Sequence, residues 1–191
     1  MKILFIGNSY TYFNDMPVLF HAECEKKGVK SDVKSVTAGG YMLSQFLSDE
    51  DEYGRRVKQL LNDEKFDYVV MQEQSVLPAT DKAAFLKSVS ELTALICKNG
   101  AKPVLYQTWG RAEGCETLDR LGMTHDGHHE ALKRAYEEAA KENGAILVYA
   151  GDRFDEAYKK GEQVFDPDGS HPSLPGSQII AKEFCRILTN Q

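Results

Sequence analysis

The segment Lys2-Ile3-Leu4-Phe5-Ile6-Gly7-Asn8-Ser9-Tyr10 passes from a short apolar run into a small polar turn, with a helical pattern after it. A run of that length, bounded by turn residues, reads as a strand buried on both faces. The same signature recurs at residues 33–36, 68–71, 103–106 and 145–149. Longer helical patterns lie between these runs. Phe85, Val89, Leu92 and Ile96 are spaced by four, three and four, and Asn99-Gly100 supplies a stop signal. A second helix is expected over about 127–142, with Leu132, Ala135, Tyr136, Ala139 and Ala140 inward and Asn143-Gly144 as its stop. A third opens near 14–17 and ends at Gly28. The last starts at Pro175, a favoured first-turn residue, and buries Ile180, Phe184, Ile187 and Leu188. Five strands alternating with helices imply an α/β chain: a parallel sheet covered on both faces, in three α/β/α layers. Residues 49–54 and 107–124 are less regular and read as surface loops.

At 191 residues and 42% hydrophobic content the chain supports one sizeable core and is short for two, so a single domain over 1–191 is expected. The net charge of −6, with no basic cluster against it, speaks against nucleic acid or an anionic membrane as partner and favours a small neutral or polar substrate. No stretch approaches the roughly 18–20 apolar residues that a membrane helix needs. Met1 leads into a strand pattern rather than a basic, apolar, cleavable leader, so a cytoplasmic location is expected. Cys24, Cys97, Cys115 and Cys185 lack paired spacing and read as reduced packing residues.

In an open parallel sheet the ligand crevice lies beyond the carboxyl ends of the strands. Ser9, residues 72–75 and Trp109 all follow predicted strand ends. A serine hydroxyl becomes a useful nucleophile when a base accepts its proton, and the base works best when a third group fixes its tautomer. Asp168 and His171 supply that pair. On a tight turn, their spacing of three lets the carboxylate accept from one ring nitrogen while the other faces Ser9. The cluster His125, His128 and His129 lacks a convergent metal-ligand pattern, since adjacent residues on a helix diverge, and no metal is expected. The turn after the first strand has neither a Gly-rich phosphate cradle nor a Lys-Ser/Thr pair, so no flavin, nucleotide or other cofactor is expected.

With Gly7-Asn8-Ser9 directly after the first strand and Asp168-Gly169-Ser170-His171 near the end, the chain resembles the SGNH (GDSL-like) hydrolase superfamily along essentially its whole length. The resemblance implies a five-stranded, flavodoxin-like parallel sheet and a Ser9, His171, Asp168 triad. It also implies an oxyanion hole made by the Ser9 N–H, a glycine N–H after the second strand and a side-chain amide after the third. Gly40 matches the glycine better than Gly39. Where the family has Gly-x-Asn, this chain reads Met71-Gln72-Glu73-Gln74-Ser75, so the amide falls to Gln74, or second to Gln72, on a stem one methylene longer. Glu73 is expected to turn away into a structural network. Asn8 replaces the family's aspartate, which alters local hydrogen bonding more than chemistry.

Trp109 is read either as a substrate-stacking wall or as a buried aromatic covering the sheet end, and Arg111 either as an anchor for an anionic substrate group or as a solvated loop residue. The function expected is a serine esterase acting on a small carboxylic ester, with a carbohydrate O-acetyl ester favoured. A thioesterase or lysophospholipase-type acyl hydrolase and a non-catalytic binding module on the same scaffold are the alternatives.

Overall fold

The computed structural model describes residues 1–190. Its elements, in chain order, are β1 (Lys2–Gly7), α1 (Ser9–Tyr12), α2 (Met16–Lys26), β2 (Asp32–Thr37), α3 (Glu52–Asp63), β3 (Tyr68–Met71), α4 (Leu77–Thr80), α5 (Lys82–Asn99), β4 (Lys102–Tyr106), α6 (Glu116–Leu121), α7 (His125–Asn143), β5 (Ile146–Val148), α8 (Ala150–Lys159) and α9 (Leu174–Leu188). The five strands form one sheet in the order β2-β1-β3-β4-β5, and every pairing is parallel. That is the flavodoxin-like order, with its switch point between β1 and β3. The layered architecture expected from the alternation of patterns is the one observed.

Successive strand residues point to opposite faces, and β1 shows why both faces must be covered. Ile3 and Phe5 join Phe20 of α2, Phe154 of α8 and Phe184 of α9 in one core. Leu4 and Ile6 join Val57 of α3, Val89 of α5 and Tyr136 of α7 in the other. Phe5, Phe20 and Phe184 meet edge to face, with centroids 5.4–6.2 Å apart, a preferred aromatic geometry. The central strand β3 is buried throughout, whereas the edge strand β2 is buried only at Val36.

The helix stop signals act as expected. Gly100 and Gly144 take left-handed conformations (φ +91° and +60°) just past α5 and α7, where a β-carbon would be strained. Pro175 sits in the first turn of α9. Ile187 is half-buried at the margin of the core rather than inside it. The two segments read as surface loops need correction. Residues 49–54 contain the start of α3, capped by Asp51, whose carboxylate accepts from the N–H groups of Tyr53 and Gly54. Residues 107–124 contain α6 and a buried entry through Gln107, Thr108 and Trp109. Among the described residues no helix is long and apolar enough to cross a membrane.

Candidate active site

β1 delivers its last residues straight into the site. Asn8 caps α1 by accepting from the Tyr10 N–H, and its own amide donates to the Tyr41 carbonyl (2.9 Å). Gln72, at the end of β3, accepts from Asn8 N (2.9 Å) and Thr11 Oγ1 (2.8 Å) and donates to the Glu73 carbonyl. Ser9 therefore sits on a turn fixed from both sides. Only glycine fits at position 7 without displacing these groups, since a β-carbon there would lie 2.5 Å from Thr11 Oγ1 and 2.6 Å from Gln72 Oε1.

From the other end of the chain, the 166–173 loop carries His171 to Ser9. Ser9 Oγ stands 2.8 Å from His171 Nε2, and His171 Nδ1 stands 2.5 Å from Asp168 Oδ2. The second carboxylate oxygen of Asp168 accepts from the backbone N–H groups of Ser170 (2.8 Å) and His171 (2.9 Å). Burial pushes the Asp168 carboxyl upward, but the His171 donation and these two N–H groups outweigh it and hold the group below the usual aspartate range. An ionised Asp168 accepts from Nδ1–H, which leaves the Nε2 lone pair for the serine proton.

The loop is docked at several points. Tyr10 Oη and Ser170 Oγ are 2.7 Å apart, Trp109 Nε1 donates to the Ser170 carbonyl (3.1 Å), and Asn14 Nδ2 donates to the Pro172 carbonyl (2.8 Å). Phe13 stacks on the His171 ring at 4.2 Å and Tyr10 meets it edge-on at 5.5 Å.

Asn8, Ser9, Tyr10, Gly40, Gln74, Ser75, Arg111, Ser170 and His171 line a cavity of about 230 Å³. Gly40 has a left-handed backbone (φ +73°) with open space around it. The Gln74 carboxamide oxygen accepts from the N–H groups of Val76 (2.9 Å) and Leu77 (3.1 Å), which orients its NH₂ end. Gln72 lies outside this wall. It is fully buried, its oxygen accepts from Asn8 and Thr11, and its NH₂ donates to the Glu73 carbonyl, so its amide is not presented to the cavity.

Trp109 also departs from one of its two readings. It is fully buried, stacked between Tyr10 (4.6 Å) and Phe154 (4.2 Å), and supports the Ser170 carbonyl from behind the cavity instead of forming a wall for substrate. Arg111 does line the cavity. Glu73 turns inward beneath it, with Oε1 accepting from Leu43 N (3.0 Å) and Gln74 N (2.6 Å); burial raises its carboxyl to about 7 against those two donors.

The histidines of α7 lie behind the cavity. Ligand atoms of His125, Asp126 and Asp155 lie within 4.8 Å of one another. The Lys159 ammonium already bridges the two carboxylates, at 2.9 Å from Asp126 and 3.0 Å from Asp155. Sequence reasoning places Ser75 at the rim only as part of the 72–75 segment, with no role of its own, and misses Tyr10 and Ser170 as cavity residues. Their hydroxyls carry no motif of their own, and only their positions after β3, after Ser9 and before His171 could have pointed to them.

The sequence matches no protein-family model and no curated protein. Solved structures are informative. A protein from Slackia heliotrinireducens assigned to the SGNH hydrolases shares 34% identity, with 98% of each chain covered and a TM-score of 0.89. A DUF4886 family protein from Bacteroides uniformis shares 20% identity over all of this chain and 83% of its own, with a TM-score of 0.84. The acetyl xylan esterase AlAXEase shares the fold at 17% identity and a TM-score of 0.70, covering 96% of this chain and 98% of its own. With a third of its residues shared along nearly the full length of the first of these, and the same fold throughout, the chain belongs to the SGNH hydrolase family.

Proposed function

We propose that this protein is a serine esterase that hydrolyses a small carboxylic ester through Ser9, His171 and Asp168. The observation that carries the reading is the continuous hydrogen-bond relay from Asp168 through His171 to Ser9 at the edge of an open cavity. Ser9 Oγ attacks the ester carbonyl as its proton passes to His171 Nε2. The carbonyl oxygen becomes an oxyanion facing the Ser9 and Gly40 N–H groups and the Gln74 amide. The tetrahedral adduct collapses, and the departing alkoxide takes the proton from His171 and leaves as an alcohol. Water then gives a proton to His171 and attacks the acyl-Ser9 carbonyl, releasing the carboxylic acid and restoring the Ser9 hydroxyl. Asp168 holds the tautomer and stabilises the imidazolium formed in each half.

A cavity of about 230 Å³ is small beside the ~300–1,000 Å³ of drug-sized ligand sites. This supports a short acyl group such as acetyl over a fatty acyl chain. Carbohydrate O-acetyl esters belong to that class, and the fold is shared with an acetyl xylan esterase. Hydrolysis is favoured over binding alone because the Asp168–His171–Ser9 arrangement gives a proton path that a binding module has no use for. The test is a series of 4-nitrophenyl esters, acetyl through octanoyl, with wild type and Ser9→Ala side by side. We expect the highest rates at two to four carbons and no turnover above background in Ser9→Ala; full activity in that variant would overturn the mechanism.

A further inference from the structure

Arg111 is the only permanently charged side chain on the cavity wall, and no carboxylate lines that wall. The chain as a whole carries 29 acidic residues against 23 basic ones. Yet among the described residues no carboxylate lies within ion-pairing distance of this guanidinium. Both side chains that it donates to are neutral: Nη1 donates to Thr117 Oγ1 (3.0 Å) and Nη2 to Ser75 Oγ (2.8 Å). Nε is buried without a partner. A half-buried cation satisfied only by hydroxyls retains most of its electrostatic demand, which an incoming anion can meet.

The surroundings hold this cation in place. The Arg111 backbone N–H donates to His128 Nδ1 (3.3 Å), and its carbonyl is met by His125 Nδ1 (2.8 Å). His125 is tied in turn to Asp155 through Nε2 (2.8 Å) and to Glu113 through its backbone N–H (2.7 Å). Gly110 makes the close approach to α7 feasible, since a β-carbon there would stand 2.6 Å from the His125 carbonyl. Main chain and side chain of Arg111 are thus both fixed before any substrate arrives, an arrangement suited to reading charge at a set distance from the nucleophile.

We propose that Arg111 is the specificity anchor for an anionic group, such as a carboxylate, carried within a few bonds of the scissile ester, so that the preferred substrates are small monoanionic esters. The inference rests on Ser9-dependent ester hydrolysis at the same site. The charge can belong to the acyl part or to the alcohol part, and the test separates them. One pair compares 4-nitrophenyl hemiglutarate with 4-nitrophenyl butyrate; the other compares 4-acetoxybenzoate with phenyl acetate. In at least one pair the wild type should show a kcat/KM for the anionic member about tenfold or more above the neutral one, the weight of a charge-assisted hydrogen bond. High salt should narrow that ratio. Arg111→Gln should bring it close to one and Arg111→Lys should keep part of it, with circular dichroism confirming that each variant is folded. If the wild type hydrolyses both members of both pairs with no preference for the anion, or if folded Arg111→Gln keeps the wild-type ratio, the assignment of Arg111 is wrong while the esterase reading stands. If the wild type hydrolyses none of the four esters, both are wrong.

Discussion

Glu73 illustrates how one buried residue couples the site to pH. Its carboxyl is fully buried under the Gln74 segment, with Oε2 unpartnered, and desolvation raises it from 4.5 to about 7. The folded state therefore binds a proton more tightly than the unfolded chain does. The stability linked to that proton is present in full below pH 4.5 and is lost as pH rises through 7, by about 3 kcal/mol in the limit. Glu73→Gln, which cannot ionise, should raise the melting temperature relative to wild type at pH 8 and do so much less at pH 5. Equal shifts at the two pH values would show that the carboxyl does not ionise in this range. Asp168 works in the opposite sense, since its carboxyl is held below its ordinary value. It accepts from His171 Nδ1 as an anion across the neutral range, which is the orienting role proposed for it. Asp168→Asn should leave the fold intact and lower kcat by on the order of 10⁴-fold through the wrong imidazole tautomer, measured as initial rates on a short-chain aryl ester. His128, by contrast, is lowered to about 4 by burial and by the neighbouring Arg111 cation. It stays a neutral acceptor for the Arg111 N–H throughout that range.

Among the elements, the segment between β4 and α7 shows best what a sequence reveals and what it conceals. The strands and the helices α2, α5, α7 and α9 are legible because apolar spacing, Asn-Gly stops and a first-turn proline all act within a few residues of where they stand. Ser9, Asp168 and His171 are legible as residue types in a known order. Trp109 is not resolved by the sequence, because its surroundings come from Tyr10, Phe154 and Ser170, which lie far away along the chain. The Gln72 and Gln74 choice has the same origin. Strand alternation would put both amides on one face. The strand ends at Met71, however, and the chain turns at Gln74, whose carbonyl accepts from Leu77 N, so Gln72 stays tied to Asn8 and Thr11 while Gln74 lines the cavity. The start of helix α3 is hidden because Gly54 looks like a loop residue. It is helical and lies against the 43–48 turn, where a β-carbon would be 2.1 Å from the Ser48 carbonyl. Gly110 plays a similar part between the Trp109 turn and α7. Gly110→Ala should cost roughly 1–3 kcal/mol by overpacking, read as a shift in urea midpoint. It should also perturb the near-ultraviolet signal of the neighbouring tryptophan, the only one in the chain.

On the scale of the whole molecule, the two cores lie on opposite sides of one sheet, and α9 closes one of them. Ile180, Ala181, Phe184, Cys185 and Leu188 are all buried on its inner face. The apolar area they remove from water contributes on the order of 10 kcal/mol at ~1.5–3 kcal/mol for each large side chain, comparable to the ~5–15 kcal/mol stability of a typical domain. A chain ending after Ser173, with Asp168 and His171 retained, should therefore be unfolded by circular dichroism rather than folded and inactive. The serine and the histidine that meet at 2.8 Å are separated by 162 residues. The proposed nucleophile and its proposed base thus come from distant segments that meet only in the folded chain. Until β1 and the 166–173 loop are both in place, the Ser9 hydroxyl lacks the imidazole that the proposed mechanism needs. With Ser9 as the proposed nucleophile, hydrolysis of a short-chain aryl ester is expected to serve as a readout of completed folding.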